Sequence, residues 1–444
     1  MDTAKIESEI LSQIQDLAAN QFHRMEKTQN YGGFSRNRVL QALPLSARSG
    51  TLLPSPSFPE ELEKQELEAK LKVGRKKISL DEPDEVNAIL KKAGSQKFLL
   101  AGHVGDYRCI VFGNGTTEKR GRFKLTVLHT EDIRTPIAIL PMAAVVSKGH
   151  ITLREVAMDI IISEKWEQMA RYPESEYGPT LPQKVRNGLK KKTLEAYGIL
   201  SLSDFQAKRA LMREELLETT MDHELAHAVI LGGELSKEEA AFSEAFSGEE
   251  SNVLTLYNEF LAEFMPKRAE FMGPLARMCL WAKEGNIQKA TRLYYRYLSD
   301  SFFYGNPDEE GLTGLTDSVV TQMSTYMNED GTIDFGKLEG DLEHVYSQIL
   351  GRLRKLTETI LHTIQKSPDY SKLKKEKGRD RTEFWWKIQK KIDKEHPELK
   401  EKLKKIFENG KDELFKKIGT LRQKENSQEA LIPLLAKVLS IPKS

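Results

Sequence analysis

Residues 203–233, SDFQAKRALMREELLETTMDHELAHAVILGG, leave this chain less structural freedom than any other part of it. Both ends of a helix are written into them. Ser203, followed three positions later by Gln206, fits a capping box, and Gly232-Gly233 supplies a stop. A helix is expected over 204–231, about eight turns long. At about 100° per residue, His223 and His227 stand about 40° apart, and Met212, Leu216 and Ile230 fall in the same arc. From Leu225 to Leu231 the stretch is apolar nearly all round apart from His227, which predicts burial. Glu224 projects about 100° from His223, between Leu217 and Leu231. A carboxylate there is expected to be desolvated, and to need a charge partner or a raised pKa.

The spacing suits metal chemistry. Histidines at i and i+4 bring two imidazole nitrogens to one cation, and the glutamate between them reaches a water on that cation and takes its proton. Zinc lowers the pKa of such a water towards neutrality, so a carboxylate is base enough. The plainer reading is a pair of core histidines satisfied by hydrogen bonds. The motif's place in a capped helix, apolar around it, favours the metal.

A third ligand must come from elsewhere. Ile230 and Gly233 stand where a metzincin places its glycine and third histidine, and no further histidine occurs until His344. A glutamate is the expected ligand. In SNVLTLYNEFLAEFMP (251–266), a helix that Pro266 should stop, Glu259 and Glu263 lie four apart on one face. Asn252, Thr255, Asn258 and Ala262 share that arc, so Glu259 also fits an ordinary solvated face. Glu244, in FSEAFSGEE, is the other candidate.

The combination resembles the zincin metallopeptidases with a glutamate third ligand, the gluzincins. NEFLAEF is most similar to the lethal-factor type of toxin peptidase, whose downstream helix carries Glu-[aromatic]-x-Ala-Glu. The resemblance spans residues 221–265. It implies that His223, His227 and Glu259 hold zinc, that Glu224 activates the attacking water, that Glu263 supports a ligating histidine, and that the substrate is a polypeptide. It also implies a zincin-like core in which the edge strand of a small sheet aligns the peptide. No oxyanion-stabilising residue is assigned. The lethal-factor type keeps a tyrosine several residues before its glutamate, where this chain reads SNVLT. Tyr257, Tyr294, Tyr295 and Tyr304 are present, but those of RLYYRYL are expected to pack.

A chain of 444 residues has room for two or three domains. Its 67 Lys+Arg against 66 Asp+Glu argue against a dedicated nucleic-acid binder, so no nucleic-acid partner is expected. The two cysteines, Cys109 and Cys279, exclude a disulfide scaffold and suit a reducing compartment. MDTAKIESEILSQIQDLAANQ is an acidic amphipathic helix rather than a secretory signal, and IAILPMAAVV (137–146) is too short to span a bilayer. The expectation is a soluble, cytoplasmic chain without membrane insertion, resident or delivered by a specialised secretion system.

The fold class expected is α+β and mostly helical, in three regions. The first, 1–75, holds an N-terminal helix (1–27), a Pro/Gly/Ser-rich linker (28–59) and a charged helix, PEELEKQELEAKLK. The second, 76–339, is the zincin-like domain. KFLLAG, YRCIVFG, RFKLTVLH and TPIAILP within 97–146 predict three or four strands split by turns such as GNGTTEKRG, with helix resuming at TLREVAMD. The third, 340–444, is a charged helical extension. His103 and His129 are read as turn or core histidines, and GNPDEEGLTG and MNEDGTID as incomplete calcium loops. The lysine/glutamate-rich stretches of 371–418 are read as a solvated face, and Trp385-Trp386 as helix packing. The alternative to a peptidase is a catalytically silent zincin-fold scaffold whose charged C-terminal helices bind a protein or nucleic-acid partner.

Overall fold

The computed structural model describes residues 2–29, 70–73, 76–80, 83–104, 107–135, 144–147, 150–162, 188, 191–236, 239–240, 249–301, 323, 325–328 and 330–365. The fold is α+β and mostly helical, with a small sheet. It divides into two compact units, residues 1–164 and 165–444. Among the described residues no helix is long and apolar enough to cross a membrane.

In the first unit, helix α1 (Thr3–Thr28) is capped by Asp2, whose side chain accepts from the Lys5 N–H. Ile6, Ile10 and Ile14 recur one turn apart and are buried against a hairpin of β1 (Lys70–Val73) and β2 (Lys76–Ser79). Residues 70–72 were expected to end the charged helix and are strand instead. Leu71, Val73 and Ile78 alternate with lysines, and a period of two buries one face of a hairpin where a helix would scatter them. Gln13 seals this edge by accepting from the Lys72 N–H at 2.7 Å and donating to the Lys72 carbonyl at 2.8 Å.

Helix α2 (Pro83–Lys92) precedes a sheet that has six strands among the described residues. They are β3 (Lys97–Val104), β4 (Tyr107–Arg120), β5 (Phe123–Leu128), β6 (Ile133–Arg134), β7 (Ala144–Ser147) and β8 (His150–Arg154). The order is β3-β4-β5-β8-β7, with β6 pairing β4. Among the described strands only the β5–β8 pair is parallel. The sheet therefore has more strands than the three or four expected and runs on to Arg154, so helix α3 (Glu155–Ile162) starts three residues after Thr152.

GNGTTEKRG is mostly strand, not turn. β4 passes straight through Gly113 and Gly115, and only Gly121, at φ 54, turns the chain so that Arg120 pairs Phe123. A Cβ on Gly113 would stand 1.7 Å from the Thr130 carbonyl oxygen, so the glycine admits a crossing backbone. His129, after β5, is a satisfied surface residue between Thr116 Oγ1 (2.8 Å) and Glu155 (2.7 Å).

The second unit is built of helices α4 (Leu202–Val229), α5 (Glu249–Phe264), α6 (Pro274–Lys283), α7 (Ile287–Ser301) and α8 (Phe335–Gln365). The cap of α4 is Ser201, two residues before the expected one. Its hydroxyl accepts from the Asp204 N–H, and the Asp204 carboxylate accepts from the Leu200 N–H. The glycine pair does not end the helix. A π-helical segment, Ile230–Glu234, carries the chain through it to an extended Leu235. Leu254, Leu261 and Phe264 of α5 form one core with Met278 and Trp281 of α6, Leu293 and Tyr294 of α7, and Leu342, Val345 and Ile349 of α8. Tyr294 and Tyr295 pack as expected, and their hydroxyls donate to the Met323 and Gly331 carbonyls. Glu244, Tyr304, GNPDEEGLTG, residues 371–418 and Trp385-Trp386 lie outside the described residues.

Candidate metal centre

Helix α4 reaches the site along a row of polar contacts, buried at Glu215, Thr219 and Asp222 and partly exposed at Glu218. Glu215, Glu218, Thr219 and Asp222 fall at i, i+3, i+4 and i+7, on one face. Glu215, with 1% of its side chain exposed, takes Arg292 at 2.5 Å and the Tyr197 hydroxyl at 2.7 Å. Burial and the Glu215 charge hold the Tyr197 phenol well above its ordinary pKa, so it donates throughout the physiological range. Glu218 pairs Lys289 at 2.6 Å, and Arg296 donates to Thr219 at 3.2 Å. Asp222 receives both arms of Arg277, at 2.7 and 2.9 Å. Lys289, Arg292 and Arg296 are themselves spaced i, i+3, i+7 on α7. None of these residues was singled out from the sequence. The matching spacing of acids on one segment and bases on another was the available signal.

Next to this row lie the histidines. Their Nε2 atoms stand 3.0 Å apart, and the rings meet edge to face, 4.5 Å between centroids. The Glu259 carboxylate, on α5, reaches both: Oε2 is 3.0 Å from His223 Nε2, and Oε1 is 3.5 Å from His227 Nε2. Both histidines keep 15% of the side chain exposed and Glu259 37%, so the cluster is largely sheltered with one open side. Burial opposes a charge on His223, but the hydrogen bond and charge of Glu259, helped by Glu224 and Glu263, outweigh it and raise its pKa to about 9. Burial also works against ionisation of Glu259, yet its hydrogen bonds to both histidines hold it well below the usual carboxylate range.

Among the described residues this is the one group of three His, Cys, Asp or Glu side chains able to hold a metal, with all ligand atoms within 4.8 Å of one another. Two nitrogens on a tetrahedral zinc stand about 3.3 Å apart, close to the 3.0 Å seen here. Two imidazoles and a carboxylate also form a donor set that suits zinc. The residues fit the ion.

Of the remaining candidates, Glu263 lies one turn beyond Glu259, is buried, and adds its charge at His223. Glu224 follows His223 on α4 and is half-buried. It makes no hydrogen bond or ion pair with the described residues. No family model, no curated protein and no solved structure matches this chain.

Proposed function

We propose that this chain is a zinc-dependent metalloendopeptidase with a zincin-like core of the gluzincin kind, hydrolysing peptide bonds in a polypeptide substrate. One observation carries the reading. A carboxylate 32 positions beyond the second histidine, on another helix, meets both imidazole Nε2 atoms at 3.0 and 3.5 Å. An ordinary pair of core histidines needs no acid shared between them.

His223, His227 and Glu259 would hold the zinc, whose positive charge would polarise the scissile carbonyl and acidify a water. Glu224 takes a proton from the attacking water on its carboxylate and later gives it to the leaving amine nitrogen. Its lack of a protein partner among the described residues leaves the carboxylate available for that task. Asp222, clamped by Arg277, fixes the backbone just before His223. Glu263, one turn along α5, steadies the basic character of the site through its charge at His223.

Two measurements on the purified chain test this. Inductively coupled plasma mass spectrometry should find about one zinc per chain, lost in Glu259→Ala. Casein hydrolysis should fall by about 10²–10⁴ in Glu224→Gln while the zinc stays bound. No zinc after incubation with it at neutral pH would sink the proposal. Zinc with a casein baseline unchanged in Glu224→Gln would leave a silent scaffold on the same metal site.

A further inference from the structure

Far along the sequence from the histidines, α1 and the β1–β2 hairpin border an open-sided cavity of about 220 Å³, and the lysines on it are exposed. Gln13, Asp16 and Asn20 of α1 line it together with Lys70, Lys72 and Lys77 of the hairpin. The lysines are placed against their own interest. Lys72 and Lys77 are direct cross-strand partners, and Lys70 lies two positions from Lys72 on the same face of β1. Because the Lys72 N–H and carbonyl point outward to Gln13, the Lys72–Lys77 pair is of the non-hydrogen-bonded type, whose side chains stand closest. Like charges so placed destabilise a ladder. None of the three lysines has an ion-pair partner among the described residues.

The opposite wall is short of partners too. Asn20 is 6% exposed, faces this cavity and has no hydrogen-bond partner among the described residues. Its amide atoms are not sealed from solvent, so they are available to a ligand that enters the space before them. The Gln13 amide, by contrast, is fully used by Glu9 and Lys72. Burial raises the pKa of Asp16, and its carboxylate has no ion-pair partner among the described residues.

We propose that this cavity binds a small phosphorylated molecule that also bears a hydroxyl group. Its phosphate would lie among Lys70, Lys72 and Lys77, the Asn20 amide would donate to it, and Asp16 would accept from the hydroxyl. A phosphate suits the lysines better than a carboxylate, because it carries more charge on a compact group and offers several acceptors to point-charge donors. This site is independent of the zinc proposal.

Inorganic pyrophosphate is the probe, added to the full chain in a thermal-shift titration against sodium chloride of equal ionic strength. A saturable rise in Tm is expected at sub-millimolar pyrophosphate, on the order of tenfold weaker in the Lys72→Ala/Lys77→Ala double variant. Asn20→Leu should also bind more weakly, because the substitution removes the amide that would donate to the phosphate. If the double variant fails to fold, Lys72→Gln, which keeps most of the side chain, must still weaken binding. No saturable rise beyond the salt control overturns the proposal, and so does a rise that survives unchanged in the lysine variants.

Discussion

Two polar faces run along helix α4, about 90° apart, and they are satisfied in opposite ways. On one, Glu215, Glu218 and Asp222 each meet a cation from α6 or α7, charge for charge. On the other, two bases of the same kind turn their Nε2 atoms towards each other and share a single carboxylate. The first arrangement is complete within the protein, since every acid has its donor. The second is satisfied only by placing protons where the nitrogens converge, and a cation would replace them. A filled polar row explains how a helix is held. A convergent one with ligand atoms to spare is a group that could hold a metal ion.

The largest effect expected from perturbing the first face is at Arg292. Its replacement by alanine leaves the buried Glu215 with Tyr197 alone and should cost about 3 kcal/mol in urea denaturation. A loss below about 1 kcal/mol would mean that the row is ornament, and the contrast would fail.

The second face is sharpened by pH. The raised pKa of His223 contributes stability that is complete below its ordinary 6.5 and lost as pH rises through about 9. The depressed pKa of Glu259 contributes stability that is present above 4.5 and lost on acidification. Metal-free protein should therefore lose about 1–3 kcal/mol between pH 6 and 9.5, and Glu259→Gln should flatten that slope. Added zinc should reverse the trend, stabilising more at pH 8 than at pH 5.5, because it must displace protons from its ligands.

The smallest effect is at the outer end of the first row. Lys289→Ala should cost less than about 1 kcal/mol, since its bond to Glu218 is between partners 26% and 31% exposed. A loss as large as that of Arg292 would show that the row acts as one network rather than as pairs.

What was legible in the sequence was local. His223, Glu224 and His227 stand out by spacing, whereas the helix that carries Glu259 and Glu263 also fits a solvated face, and only the resemblance of NEFLAEF to a known pattern favours Glu259 over Glu244. The cap of α4 was misplaced by two residues because Ser201 and Ser203 offer the same hydroxyl. Only the Asp204 carboxylate, turned back to Leu200, decides between them. The row is not legible in the sequence because Glu215, Glu218 and Asp222 have the periodicity of a solvated face. Nothing within one helix says whether Arg292 or water will meet them. The strand through Gly113 was read as a turn for a related reason: the glycine answers to the Thr130 backbone, 17 positions away, and not to its own φ. The hairpin at 70–79 was hidden by composition, since its lysines look like more of the charged helix before it.

The row of pairs along α4 also sets how adaptable the histidines can be. Contacts at Glu215, Glu218, Thr219 and Asp222 span two turns and engage two neighbouring helices, so α4 can neither roll nor slide without breaking several at once. If the cluster holds the proposed ion, Nε2 of His223 and His227 would offer it donors mounted on a stiff frame. Selectivity among divalent ions would then come from rigidity: an ion that wants a wider or flatter arrangement would have to deform a salt-bridged helix to obtain it.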